Sequence, residues 1–362
     1  MDRTIDDGAP PPAHGARRAA RARELLERAS TSEPLLVGIA AYPGALAWSA
    51  DGSLLAIGSD RGDVELVAPA LGQTRRRFRA HDGPVRSLAW HPGRAALLTT
   101  GQDGAVRLWE RPFEEARELI GPGPACADHA CWSPDGARAA VALGARVDVL
   151  TAGRTAVITA PAPAVIAGLA FTPRGRSIGA AGRGGIWLLD PVTGRITRSL
   201  DAPGAPSSLA FSPDGRVVAC ACWDGGVHSW RILAEKRVWL SGGGSPRRCL
   251  TFSPDGRWLA AGGESISLWP FEPGAPAARA PLELVGHADL VTALAWAPWG
   301  LLLSGSRDGT VALWAPSERQ APVLAQRLTG AVTRVAWGVD SAARRLRWAA
   351  ADEHGRVMIG EL

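Results

Sequence analysis

The stretch from Gly286 to Trp314 reads GHADLVTALAWAPWGLLLSGSRDGTVALW and holds His287, Ser304 and Asp308 close together. A carboxylate that orients an imidazole, which in turn takes a hydroxyl proton, makes a nucleophile for acyl transfer. Two features argue for another use. Ser304 lies within an alternating apolar run, with no Gly-x-Ser-x-Gly elbow to present it. The set also recurs as His81, Thr99 and Asp103, and each copy is followed by a tryptophan, Trp314 or Trp109. A reaction needs its centre once, whereas a structural lock can recur in every copy of a unit. Loss of His287 is therefore expected to destabilise the fold and not to stop a reaction. No P-loop, HExxH or dinucleotide glycine pattern occurs. His354, Asp352 and Glu353 share one hairpin and read as a solvated turn, and Cys220 and Cys222 read as small core residues. The sequence thus predicts no catalytic residue, metal or cofactor.

The elements that must position these residues repeat along the chain. ALAWSADG, SLAWHPG, HACWSPDG, GLAFTPRG, SLAFSPDG, CLTFSPDG, ALAWAPWG and RVAWGVD place an aromatic at Trp48, Trp90, Trp132, Phe171, Phe211, Phe252, Trp296 and Trp337. This spacing of about forty residues marks a repeat architecture. In each unit an alternating run leads to a Pro-Asp-Gly type of turn, in which Pro presets φ and Gly accepts positive φ. A short run, an Asp-Gly hairpin signal and another alternating run follow, and then a more polar strand. Each unit is predicted to be four antiparallel strands, a to d from inside out. Sheets of this kind bury both faces when arranged radially, so the expected fold is an all-β, eight-bladed propeller. The last unit lacks its strand d, and residues 34–41 are expected to supply it. That would seal two free edges at once.

Composition agrees. Hydrophobic residues make up 46% and charged residues 21%, with 43 Gly and 28 Pro, as many short strands and turns require. Five cysteines without CxxC spacing point to reduced thiols and a cytoplasmic setting. There is no long apolar run, so no membrane association is expected. The net charge of +5 would admit nucleic acid. However, a single lysine, Lys236, among 40 basic residues suggests the coding bias of a GC-rich bacterial genome. The arginine clusters (Arg75, Arg76, Arg77 and Arg79; Arg247 and Arg248; Arg344, Arg345 and Arg347) are scattered, which disfavours a nucleic-acid partner.

The pattern GH…SPDG…SGSxDGTVxLW resembles WD40 repeats over residues 33–362. The name-giving Trp-Asp is missing after strand c, where only Asp190 keeps the aspartate. The resemblance implies two hydrogen-bonded tetrads, His81–Thr99–Asp103–Trp109 and His287–Ser304–Asp308–Trp314. In these the carboxylate and the hydroxyl flank the imidazole, and the hydroxyl gives toward the indole. The fifth unit keeps Asp224 and Trp230 but has Ala202 at the histidine position, and the eighth has Gly360 at the Trp position. The resemblance also implies that residues beside the tetrad Asp line a partner-binding rim. These are Asp60, Gln102, Trp223, Arg307 and Glu353, with Leu143, Gly182 and Gly262 at the corresponding points of degenerate units. Trp299 would stand on the opposite face. Residues 1–32 read as a flexible and helical extension. The expected function is a non-enzymatic scaffold or adaptor that organises a complex of proteins. The alternatives are a propeller enzyme, which would need ionisable residues converging on the inner strands, and a module that recognises a peptide or small ligand. The inner strands read as apolar, with Arg86 and Arg334 isolated.

Overall fold

The computed structural model describes residues 33–151, 157–202, 204–234, 236–240, 246–272, 275–276, 280–316, 320–340 and 345–362. The extension predicted for residues 1–32 lies outside them. The described residues form eight antiparallel sheets. The inner strands a are Pro43–Trp48, Val85–Trp90, Ala127–Trp132, Ile166–Phe171, Pro206–Phe211, Cys249–Phe252, Val291–Trp296 and Val332–Asp340, in blades 1 to 8. Each strand a packs beside the next, and that of blade 8 packs beside that of blade 1, so the ring is closed. Blade 6 carries an extra short hairpin strand, Ala275–Pro276, before Leu282–Leu284 completes it.

The aromatic that marks each repeat also joins the blades. Trp90, Trp132, Trp296 and Trp337 each pass the indole N–H to a carbonyl of the preceding inner strand, on Ala47, Ala89, Thr251 and Ala295, at 2.9–3.3 Å. Phe171, Phe211 and Phe252 have no such donor and pack only through their rings. On the outer side of the same strand, Ser49, Ser133, Ser212 and Ser253 each donate to the Asp two residues on, which fixes the a–b turn. The core lies between sheets. Between blades 8 and 1, for example, Trp48, Leu55 and Ile57 meet Ala349, Ala351, Val357 and Ile359.

The ring closes as the sequence predicts. Leu35–Gly38 lies antiparallel to Arg356–Glu361, with Leu35 opposite Ile359 and Gly38 opposite Arg356. The lent strand is shorter than residues 34–41, because the chain turns away after Ile39 donates to the Gly355 carbonyl. A buried arginine clamps the same seam. Arg347 pairs with Asp340 at 2.9 Å and Glu361 at 3.1 Å, and it donates to the Gly52 carbonyl of blade 1. Arg347 and Arg247 are buried, while Arg76 and Arg77 are paired with Glu114 and Asp63.

Candidate functional site

The b–c turn of each blade and the start of strand a meet at one end of the ring, the top face. In blade 2, strands b and c are Ala96–Gly101 and Val106–Glu110. His81 Nδ1 lies 3.0 Å from Asp103 Oδ1, and its Nε2 lies 2.9 Å from Thr99 Oγ1. Trp109 Nε1 donates to the same hydroxyl at 3.1 Å. The indole is therefore the donor and the hydroxyl accepts, which leaves the hydroxyl proton for the imidazole, the reverse of the direction expected. Asp103 also accepts the backbone N–H groups of Asp82 and Ala105. Arg107, which the sequence did not single out, reaches Asp103 at 3.2 Å and the Ala80 carbonyl at 2.8 Å.

Blade 7 differs in one link. Its strands b and c are Leu302–Ser306 and Thr310–Trp314. His287 Nε2 lies 2.6 Å from Ser304 Oγ, which accepts from Trp314 Nε1 at 2.7 Å. On the other side His287 Nδ1 meets Thr310 Oγ1 at 2.7 Å, and the threonine hydroxyl passes to Asp308 at 2.5 Å. Asp308 stands 3.6 Å from the ring, so Thr310 relays the contact. The hydroxyl two residues after the Asp was the signal for this in the sequence.

Burial pushes the His81 and His287 imidazoles below their ordinary value, against the pull of Asp103 and Asp308. Burial alone would raise the Asp103 carboxyl, but the Asp82 N–H and His81 more than offset it and the carboxyl lies low. Both histidines are thus neutral when folded. The unfolded chain binds more protons once pH falls below about 6.5, so stability is complete above that value and is lost as pH falls toward the folded values. The urea midpoint is expected to fall between about pH 7 and pH 5, by up to ~1.4 kcal/mol per pH unit for each imidazole. His81→Gln with His287→Gln should reduce the slope, leaving the part contributed by His91, His129 and His228, which burial lowers in the same way. A wild-type midpoint independent of pH over that range would contradict the assignment.

Blades without the full set fill the space by other means. In blade 5, Ala202 is buried, and His228 on strand c sits opposite Cys220 with its ring 6.0 Å from Trp230. In blade 6 the buried Arg247 donates to Ser267 at 2.8 Å, and Ser265 and Ser267 both donate to Glu283 at 2.6 Å. In blade 8, Gly360 lies opposite Trp348, whose indole covers it from strand b. Asp352 of that blade is buried, not part of a solvated turn. It accepts from Thr329, Gly330, His354 and Arg356, because the register moves it inward to the position of Ser306 in blade 7.

Asp60, Gln102, Trp223, Arg307 and Glu353 occupy one equivalent point in five blades. All five are exposed. Each donates its backbone N–H to the residue just before strand a, namely Tyr42, Pro84, Ala205, Leu290 and Ala331, at 2.9–3.0 Å. Register puts Gly144, Arg183 and Glu264 at this point in the other three blades, one residue beyond Leu143 and Gly182 and two beyond Gly262. Trp223 is 50% exposed, and Arg248 of blade 6 lies over its ring at 5.3 Å. Trp299 on the opposite face packs against the core between blades 7 and 8.

Arg86 is not isolated, whereas Arg334 donates only to the adjoining Thr333 carbonyl among the bonds of the described residues. Inner strands of seven blades shift register after their first residue, and the bulge residue is Arg86 in blade 2, Asp128 in blade 3 and Thr333 in blade 8. Bulges re-aim side chains. Arg86 Nε meets Asp128 at 2.9 Å across two blades. Burial lowers His129 against the pull of Asp128, and Arg86 adds to the lowering. An ion pair therefore joins the inner strands of blades 2 and 3, which the sequence did not reveal. Among the described residues no group of three or more His, Cys, Asp or Glu could hold a metal, and no helix is long and apolar enough to cross a membrane. All five cysteines are free.

Comparison with known proteins is consistent with this geometry. The WD domain, G-beta repeat family matches residues 72–110, 194–231, 239–269 and 280–315. Each match begins with the end of one blade and runs through strand c of the next, so the sequence unit is staggered against the blade. The chain is similar to telomerase protein component 1 of Rattus norvegicus, at 27% identity over 76% of this chain and 11% of that protein. It is also similar to a WD repeat-containing protein WDS homolog of Arabidopsis thaliana, at 25% identity over 69% of this chain and 50% of that protein. Over 31% of the chain it is 32% identical to small ribosomal subunit protein RACK1 of Medicago sativa, matching 39% of that protein. The chain thus spans half or less of these relatives. Among solved structures, the computationally designed Ika8 protein superposes over 91% of this chain and all of its own, with a TM-score of 0.76 and 19% identity, a likeness of fold alone. Four segments of the chain thus match the WD40 repeat, and its described residues fold as an eight-bladed β-propeller.

Proposed function

We propose that the protein is a non-enzymatic, cytoplasmic scaffold that holds one or more protein partners on its top face. The observation that carries this reading is the rim. Five side chains of differing chemistry stand at one repeated backbone point, fixed there by the same N–H bond and turned to solvent. A rigid ring with variable residues at fixed points suits selective docking, and Trp and Arg are the types that dominate interface energies. The reading also draws on the similarity to WD-repeat proteins. Five free thiols support a reducing compartment. A large half-exposed indole under a guanidinium makes Trp223 the expected anchor.

The test is affinity capture with full-length protein carrying Trp223→Ala and Arg307→Ala. Capture of partners seen with wild type is expected to fall at least about tenfold, as loss of one or two interface anchors would give. Full retention would exclude this face as the platform.

A further inference from the structure

Blade 5 carries a thiol where the locked blades carry a hydroxyl. Cys220 takes the strand-b point of Thr99 and Ser304, each opposite the residue two before the strand-c tryptophan. Ala202 stands where those blades hold the imidazole. Cys222 follows on the same face of the strand, and the two sulfurs lie 3.8 Å apart. Both residues are fully buried between blades 4 and 5, in one cluster with Ile186, Leu188 and Leu200. A row of directly opposed residues leads outward from Cys220, through His228 on strand c, to Trp239 on the outer strand Lys236–Leu240. Trp239 is 67% exposed, whereas His228 is 2% exposed and its Nδ1 has no hydrogen-bond partner among the described residues. An unspent buried nitrogen is costly. Beside two thiols, it marks a place where a charged guest gains a contact that the empty protein leaves unmade.

We propose that Cys220 and Cys222 bind a soft monovalent cation, copper(I), as a pair of thiolates. Thiolate ligands select soft ions of this kind. Thiolates that share one ion through bonds of about 2.3 Å stand about 3.8 Å apart when bent and about 4.6 Å apart when in line. The pair already meets the lower of these separations. Zinc fits poorly, because it asks for four ligands and the described residues offer no group of three. The ion replaces both thiol protons, which leaves one negative charge in an apolar layer. Protonation of His228 offsets that charge, and this is the use for its unspent nitrogen. The site lies inside the blade, apart from the rim, and does not rest on the docking reading.

The experiment offers copper(I), without oxygen, to the full chain from a coloured chelator of known affinity. Wild type is expected to take one ion per chain, with a new thiolate-to-metal band in the ultraviolet and a first shell of sulfur by X-ray absorption. Cys220→Ser places in blade 5 the residue that blade 7 carries at this point, so the fold is expected to survive, as the urea midpoint checks. This variant should take no ion, and Cys222→Ala should behave alike. His228→Ala should weaken binding by about tenfold or more, as loss of a supporting group does at other metal sites. Cys126→Ser, Cys131→Ser and Cys249→Ser, made singly and outside the site, should each bind as wild type. No copper taken from the chelator, or uptake that the folded Cys220→Ser protein retains, overturns the proposal.

Discussion

Deletion of residues 33–42 opens the ring and drives the protein to aggregate. The segment supplies the outer strand of blade 8, and its loss exposes the edge of Arg356–Glu361 along four paired residues. Leu35, Val37 and the buried Ile39 leave the cluster that they share with Val357 and Ile359. Three apolar side chains, two of them partly buried, and a short ladder come to roughly 5 kcal/mol, a large share of the stability of most domains. The exposed edge is also a template for pairing with other chains. Size-exclusion chromatography with light scattering should show species larger than wild type, and the melting temperature should fall. A synthetic peptide of residues 33–42 added in trans should restore part of the loss. A deletion variant with the wild-type elution and melting profile would disprove closure by this strand.

His81→Ala is the second large effect expected. The change leaves Asp103 without its imidazole partner and Thr99 without an acceptor for its hydroxyl proton, in a site where His81 is 1% exposed. Orphaned buried groups cost about 1–3 kcal/mol each, so the expected loss is ~3 kcal/mol, read from the shift of the urea midpoint. Asp224→Ala in blade 5 is the comparison. Asp224 is exposed and accepts from the Gly226 N–H at 3.0 Å, and ~1 kcal/mol is expected. Equal costs at the two sites would mean that the tetrad does not lock its blade.

The architecture was legible because it is local and repeated. An aromatic, a Pro-Asp-Gly turn and an Asp-Gly hairpin recur at nearly constant spacing, so each copy supports the others. The site was legible only in part. His81, Thr99, Asp103 and Trp109 follow a pattern along the chain, but the substitutes do not. Arg247 takes a place normally filled from another point of the loop, and Trp348 fills from strand b the space above Gly360. Both depend on register, which composition and spacing leave open. The inner-strand ion pair was hidden for a related reason. Arg86 and Asp128 lie 42 residues apart, and only the side-by-side packing of blades 2 and 3 brings them together.

The indole bonds between neighbouring inner strands have a mechanical consequence. They join blade 1 to 2, 2 to 3, 6 to 7 and 7 to 8. From blade 3 to blade 6 the corresponding residues are Phe171, Phe211 and Phe252, which hold their neighbours by packing without a directional bond. The junction of blades 8 and 1 has no such bond, because the Trp48 indole N–H finds no partner among the described residues, and between blades 5 and 6 the Ser207 hydroxyl donates instead to the Arg247 carbonyl at 2.7 Å. A load taken at Arg307 therefore meets neighbours joined by indole bonds on both sides, whereas one at Trp223 meets ring packing toward blade 4 and a single hydroxyl bond toward blade 6.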